Sequence, residues 1–297
     1  QSGSREPADM KTPDPEQILQ SLLARSREHY SPCGDGSLVW RSWGNDDPSC
    51  PIVILLHGGF GAWNHWVRNI PVLEKRYHII TPDLPGCGDS ADPPKPYDAE
   101  SLAAILSDGI DHVISNDQPF DLVSFSFGGV LSGLLAHHQS RRIRALTLVG
   151  SPVLGLTGRG PANELVEVPQ DLPPDEAAPL YRHNLQKLMV YDPEAADELA
   201  VTIQTQNMAK ARLRSRGIAR TSVLADSLRD LPCRLNCVFG DADVTLDPDL
   251  DGIRAYIKEI HPDAPFHVIP GAGHWVQFES AARVNELLPN LLDRTAA

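Results

Sequence analysis

The segment Phe120-Asp-Leu-Val-Ser-Phe-Ser-Phe-Gly-Gly129 constrains this chain more than any other, because an apolar strand runs straight into a helix with a serine at the joint. Phe120–Ser124 reads as a buried strand and Phe127–His138 as a helix, which leaves Ser126 in a sharp turn. Such a turn strains its central residue and lifts that side chain above the sheet edge, so the residues two places before and after must be small. Ser124 and Gly128 stand there. The pattern departs from the common G-x-S-x-G in having Ser at 124, and Ser126 also suits the plainer role of a helix N-cap.

Around this joint, short apolar runs alternate with longer amphipathic segments, the pattern of βα units on a parallel sheet. Strands are expected at Leu38–Trp43, as an antiparallel edge, and at Pro51–Leu56, Tyr77–Thr81, Phe120–Ser124, Ile143–Val149, Leu235–Phe239 and Phe266–Ile269. The later runs are nearly continuous in apolar residues, as parallel strands covered on both faces should be. Helices are expected at Ala62–Leu73, Glu100–Ser115, Phe127–His138, Asp249–Ile260 and Phe278–Leu292, the last bent or broken at Pro289. The fold class is therefore α/β, with a mostly parallel, doubly wound sheet. Between about Pro152 and Ser222 the sequence turns Pro-rich and acidic and then helical, at Leu180–Val190 and Glu194–Arg216, with no strand candidate. This reads as an inserted helical cap. The expected division is a polar tail and short helix over 1–30, a core over 31–151, the cap over 152–222 and the rest of the core over 223–297.

With 297 residues the chain is near the upper size of a single hydrophobic core. Its net charge of −13 disfavours nucleic acid and anionic lipid as partners, and no apolar stretch is long enough to cross a membrane. Five scattered cysteines without a CxxC pair suit reduced thiols better than a disulfide scaffold or a zinc knuckle, and the polar N-terminus has no signal-peptide pattern. A cytoplasmic protein acting on a small molecule is the expectation, and a homodimer is compatible with it.

A serine hydroxyl needs a general base, and histidine, titrating near neutrality, is the usual one. Of eleven histidines, His274 in Pro-Gly-Ala-Gly-His-Trp follows the last strand, where it can reach over the sheet's carboxyl edge. His57 also ends a strand, but in a position that suits a structural role. The acid that orients the base should follow a strand between the two, and Cys237-Val-Phe-Gly-Asp-Ala-Asp243 offers Asp243, favoured by its spacing, and Asp241, which suits a turn cap. In Leu55-Leu-His-Gly-Gly-Phe-Gly-Ala-Trp63 a Gly-rich turn can present a backbone N–H to an oxyanion, with Gly59 the first choice and Phe60 the second. It also reads as an ordinary tight turn. The N–H of Phe127, at the start of the elbow helix, is the second donor. Asp83 and Cys87, in Pro82-Asp-Leu-Pro-Gly-Cys-Gly-Asp-Ser90, are given no catalytic part.

The order Ser126, Asp243, His274, with these turns, resembles the α/β-hydrolase superfamily from about Leu38 to Leu292. His57-Gly-Gly-Phe-Gly-Ala-Trp-Asn-His-Trp and Gly273-His-Trp-Val-Gln-Phe-Glu look like the branch of meta-cleavage-product C–C hydrolases and small carboxylesterases. The resemblance implies an α/β-hydrolase fold and a Ser-His-Asp hydrolase without metal or organic cofactor, working through an acyl-enzyme in the esterases, with Trp275 binding substrate. Those C–C hydrolases carry Gly-Asn where this chain has Ser124-Phe125, and a Gly-Pro step absent here, which favours an ester. Haloalkane dehalogenases and epoxide hydrolases resemble this chain in overall order but use an Asp nucleophile, so Ser126 argues against them. A slowly turning hydrolase-fold receptor is the alternative outside catalysis. Lys210, Arg212, Arg214, Arg216 and Arg220 make the insertion locally basic, which suits either a carboxylate-bearing substrate or a solvated helix face.

Overall fold

A computed structural model describes residues 13–115, 117–156, 162–246 and 250–294. Eight strands form one sheet: β1 (Arg27–Cys33), β2 (Gly36–Trp43), β3 (Ile52–Leu56), β4 (His78–Pro82), β5 (Phe120–Phe125), β6 (Ile143–Val149), β7 (Arg234–Gly240) and β8 (Phe266–Ile269). Their spatial order is β1-β2-β4-β3-β5-β6-β7-β8, antiparallel at β1/β2 and β2/β4 and parallel from β4 onward. The helices are α1 (Pro15–Ala24), α2 (Ile70–Leu73), α3 (Ala99–Val113), α4 (Phe127–His138), α5 (Pro174–Leu188), α6 (Glu198–Lys210), α7 (Arg216–Ala219), α8 (Val223–Leu228), α9 (Leu250–Ile260), α10 (Val276–Glu279) and α11 (Ala281–Leu292).

β3 and β5 are buried at every residue because both faces of the sheet are covered. One apolar cluster joins the sheet to α3, α4, α8 and α9; the other lies beneath α1, Trp66, α10 and α11. The doubly wound α/β expectation therefore holds.

The differences have local causes. Leu38–Trp43 is antiparallel but interior, since β1 forms the edge. β1 is mostly exposed along Arg-Glu-His-Tyr-Ser-Pro-Cys and gives no apolar run to read. It also crosses residue 30, where the tail and short helix were expected to end. Ala62–Leu73 is a 3-10 turn at Trp63–Trp66 followed by α2, with Pro71 in the first turn of that helix. The final helix breaks at Ser280 rather than at Pro289, which lies within α11. The helix expected to run to Arg216 stops at Lys210, because the N–H groups of Arg212 and Leu213 turn away to the carbonyl of Gly86 at 2.8 and 3.0 Å. Asp249, the expected start of α9, lies outside the described residues.

Candidate active site

Parallel strands bring their carboxyl ends to one edge of a sheet, and the turns leaving β3, β5, β7 and β8 carry Gly59, Ser126, Asp243 and His274. The turn after β5 is strained as its sequence requires. Ser126 has φ 50° and ψ −115°, one of two non-glycine residues with positive φ among those described. Its N–H is held by the carbonyl of Val149 at 3.0 Å. A side chain at Gly128 would put Cβ 2.6 Å from the carbonyl oxygen of His57, so glycine is required two places on. Two places before, Ser124 fits sterically, but its buried hydroxyl has no hydrogen-bond partner among the described residues.

His274 Nε2 lies 2.9 Å from Ser126 Oγ, and its Nδ1 lies 2.8 Å from Asp243 Oδ2. Nε2 thus faces the hydroxyl as acceptor while Nδ1–H donates to the carboxylate. Asp243 also accepts the N–H and hydroxyl of Thr245 at 2.9 and 2.7 Å, and Thr245 Oγ1 lies 3.0 Å from His274 Nδ1. The Asp243 side chain is fully sealed from solvent and that of His274 nearly so, at 0% and 7% exposure. Asp241 turns aside to cap Gly271 N–H at 2.8 Å.

Gly59, Phe60, Ser126, Phe127 and His274 line one cavity of about 190 Å³. Phe127 is the first residue of α4, so helix geometry gives its N–H no intrahelical acceptor. Phe60 is the second non-glycine residue at positive φ, 55°, which turns the loop at the cavity wall. Trp275 differs from its expected placement. It is fully buried, stacks on Phe278 at 4.1 Å, donates from its indole to the His65 carbonyl at 3.0 Å and does not line the cavity.

His57 is buried between the Gly58 carbonyl and the N–H of Leu84, at 2.7 and 2.8 Å, and burial lowers its pKa. Asp83 holds the Gly-rich loop from below, accepting the Trp63 N–H at 2.9 Å and the Arg41 guanidinium at 3.0 Å.

The structure adds residues that the sequence did not single out. His65 is buried at the cavity wall with Nδ1 accepting the Gly58 N–H at 3.2 Å, and burial, helped by His57 and His274, holds its pKa well below the usual value. A neutral ring with Nδ1 so engaged carries its proton on Nε2. Glu279 joins two segments: its carboxylate accepts Gly273 N–H at 2.7 Å, Asp192 N–H at 2.7 Å and Tyr191 N–H at 2.9 Å. The loop of His274 is thereby fastened to the chain leaving α5. No local pattern marks Thr245, His65 or Glu279: Thr245 touches Asp243 within its own turn but also meets His274, and Glu279 joins its own loop to Tyr191 and Asp192.

Comparison with known proteins identifies the family. A family model described as "Alpha/beta hydrolase family" matches residues 53–287. The 2-hydroxymuconate semialdehyde hydrolase of Pseudomonas sp. (strain CF600) is 26% identical over 259 residues, covering 81% of this chain and 86% of that protein. The dihydrolipoyllysine-residue acetyltransferase component of the acetoin cleaving system of Pseudomonas putida is 29% identical over 268 residues, covering 85% of this chain and 66% of that longer protein. Among solved structures, a carboxylesterase from Bacillus subtilis has a TM-score of 0.74 at 16% identity, covering 95% of this chain and 96% of that one. That last likeness is one of fold.

Proposed function

From the premise that this chain belongs to the alpha/beta hydrolase family, we propose that it is a serine hydrolase cleaving a small-molecule carboxylic ester through an acyl-enzyme on Ser126. The observation that carries the reading is the continuous path from Ser126 Oγ through His274 to the sealed carboxylate of Asp243, at 2.9 and 2.8 Å.

His274 Nε2 takes the hydroxyl proton as Ser126 Oγ attacks the ester carbonyl carbon, and the negative charge that moves to the carbonyl oxygen is met by the N–H groups of Gly59 and Phe127. Asp243 stabilises the imidazolium and fixes its tautomer, with Thr245 fixing Asp243. Collapse expels the alcohol, protonated by His274. A water, deprotonated by the same Nε2, then attacks the acyl-enzyme and releases the acid. The helices between β6 and β7 act as a cap that walls the cavity and selects the acyl or alcohol part.

C–C bond hydrolysis is the second reading, favoured by the likeness to 2-hydroxymuconate semialdehyde hydrolase. The Ser124-Phe125 pair before the nucleophile tells against it.

The test is incubation with short and medium p-nitrophenyl esters and, in parallel, with a fluorophosphonate probe, against Ser126→Ala. Repeated turnover and labelling, both lost in the variant, are expected. Labelling without ester turnover moves the assignment to C–C hydrolysis or a receptor role, and a vinylogous diketone whose colour bleaches separates those two. Absence of labelling overturns the assignment of Ser126.

A further inference from the structure

The fold sorts the five cations of Lys210–Arg220 into three groups. Lys210 Nζ pairs with Asp89 at 2.6 Å; Arg212 Nε pairs with Asp92 at 2.6 Å and its Nη1 donates to the Lys210 carbonyl at 2.6 Å. Both are spent on the loop after β4. Arg214 borders a separate surface groove beside Lys95 and Tyr97. Arg216 and Arg220, one turn apart across α7, line the cavity that contains Ser126 and His274.

Like Arg214, these two have no acidic partner among the described residues, although the protein carries a net charge of −13, and unlike Arg214 they line the cavity of Ser126. The Arg216 guanidinium instead sits over the ring of Phe60, 5.9 Å from its centroid, against the loop that bears Gly59. Ser215, just before it, is 4% exposed and faces the same cavity with no hydrogen-bond partner for its hydroxyl among the described residues. Much of the remaining wall is apolar, with Leu156, Leu165, Leu188 and Met189. Two uncompensated guanidiniums and an unengaged hydroxyl thus share one side of an apolar cavity.

We propose that Arg216 and Arg220 form a carboxylate-binding subsite, with Ser215 beside it, and that the substrate is an ester whose apolar body ends in a carboxylate held there while its carbonyl lies at Ser126. The proposal rests on the ester-hydrolase reading. A guanidinium presents a planar fork of N–H donors that matches a carboxylate, and an aromatic ring beneath it restricts the fork without removing its charge. The cationic rim also reverses, at the entrance, the repulsion that an acidic protein exerts on an anion. Nothing covalent changes at this subsite; it positions the substrate.

The experiment compares mono-p-nitrophenyl glutarate with its methyl-capped diester on the unmodified protein and on the Arg216→Gln/Arg220→Gln double variant, with fluorophosphonate labelling of Ser126 confirming that both are folded. The anionic-to-neutral ratio of kcat/KM is expected to fall about tenfold in the variant, mainly through KM for the anionic ester. A ratio that stays within about twofold overturns the subsite while leaving the hydrolase reading intact. If the unmodified protein turns over neither ester, the ester reading fails. The subsite is then judged by whether free glutarate slows labelling of Ser126 more in the unmodified protein than in the variant, and equal slowing overturns it.

Discussion

The carboxyl edge of the sheet and the helical segment between β6 and β7 face each other across one cavity, and they are built differently. At the sheet edge each side chain is set by a turn one or a few residues from a buried strand, and its partners are on other turns of the same edge: Ser126 to His274, His274 to Asp243, Thr245 to His274. In the helical segment, side chains are set by packing against distant loops. α6 is joined to the Trp63–Trp66 turn by the reciprocal amide pair Asn64–Asn207, at 3.0 and 2.8 Å, and the chain after it by Arg212 to Asp92. The difference teaches where chemistry and selectivity reside. A group that must hold a lone pair on a proton needs the stiffness of strand ends, whereas a wall that selects among substrates needs only to be attached.

The comparison breaks most visibly at the sheet edge. Ser126→Ala should lower kcat by about 10⁴-fold or more, and Ser126→Ala/His274→Ala should fall no further, because the two act as one unit. Asp243→Asn should remain folded and lose about 10³- to 10⁴-fold, since an amide favours the wrong imidazole tautomer. Steady-state kinetics on one ester checks all three, and additive losses would mean that the residues do not act together.

Glu279 is the joint between the two regions and sharpens the contrast. Its carboxylate accepts backbone N–H groups from Gly273 on one side and from Tyr191 and Asp192 on the other. Glu279→Gln turns an NH₂ toward one set of donors, which should cost about 1–3 kcal/mol of stability. It should also lower kcat about tenfold, with KM changed less, because the loop of His274 loosens. An unchanged kcat in a destabilised variant would make Glu279 a structural brace only.

Acid sensitivity should also follow the sheet edge. His57 and His65 are fully buried there with pKa values lowered from 6.5, mainly by desolvation. The unfolded chain therefore binds more protons than the folded one below that value. Their contribution is complete above about pH 6.5 and is lost as the pH falls through the window beneath it. Each such histidine removes about 1 kcal/mol per pH unit in that window. Urea unfolding at about pH 7.5 and about pH 5.5 should show the loss, and His65→Gln should show less of it.

What the sequence revealed follows the same division. The parallel strands, the elbow at Ser126 and the positions of Asp243 and His274 were legible because each is written within a few residues of a strand end. β1 was not, since Arg27–Cys33 is polar and is recruited by pairing with β2 rather than by burial. The burial of Trp275 was hidden for a different reason. Its position beside His274 is local, but the side it faces depends on the fit of Phe278 and His65. The contacts of Thr245 with His274, of His65 with Trp275 and of Glu279 with Tyr191 and Asp192 form only once the chain is folded. Among the cations, charge was legible and pairing was not.

The smallest expected effect tests whether the sheet edge tolerates excess as well as it tolerates strain. Ser124 occupies the position before the elbow where glycine is common, and its hydroxyl is buried without a partner among the described residues while its carbonyl accepts Ser151 Oγ at 3.2 Å. An unpaired buried hydroxyl costs free energy that a methyl group of similar size does not. Ser124→Ala should therefore stabilise the fold by about 1 kcal/mol, read as a raised urea midpoint at unchanged slope, with kcat within about twofold. On α6, by contrast, Thr202 and Thr205 donate to the carbonyls one turn back, both at 2.8 Å, so Thr205→Ala should be neutral or destabilising. If Ser124→Ala instead lowers both stability and kcat, the hydroxyl is engaged during turnover, and the rigid edge contains a working part that its resting geometry conceals.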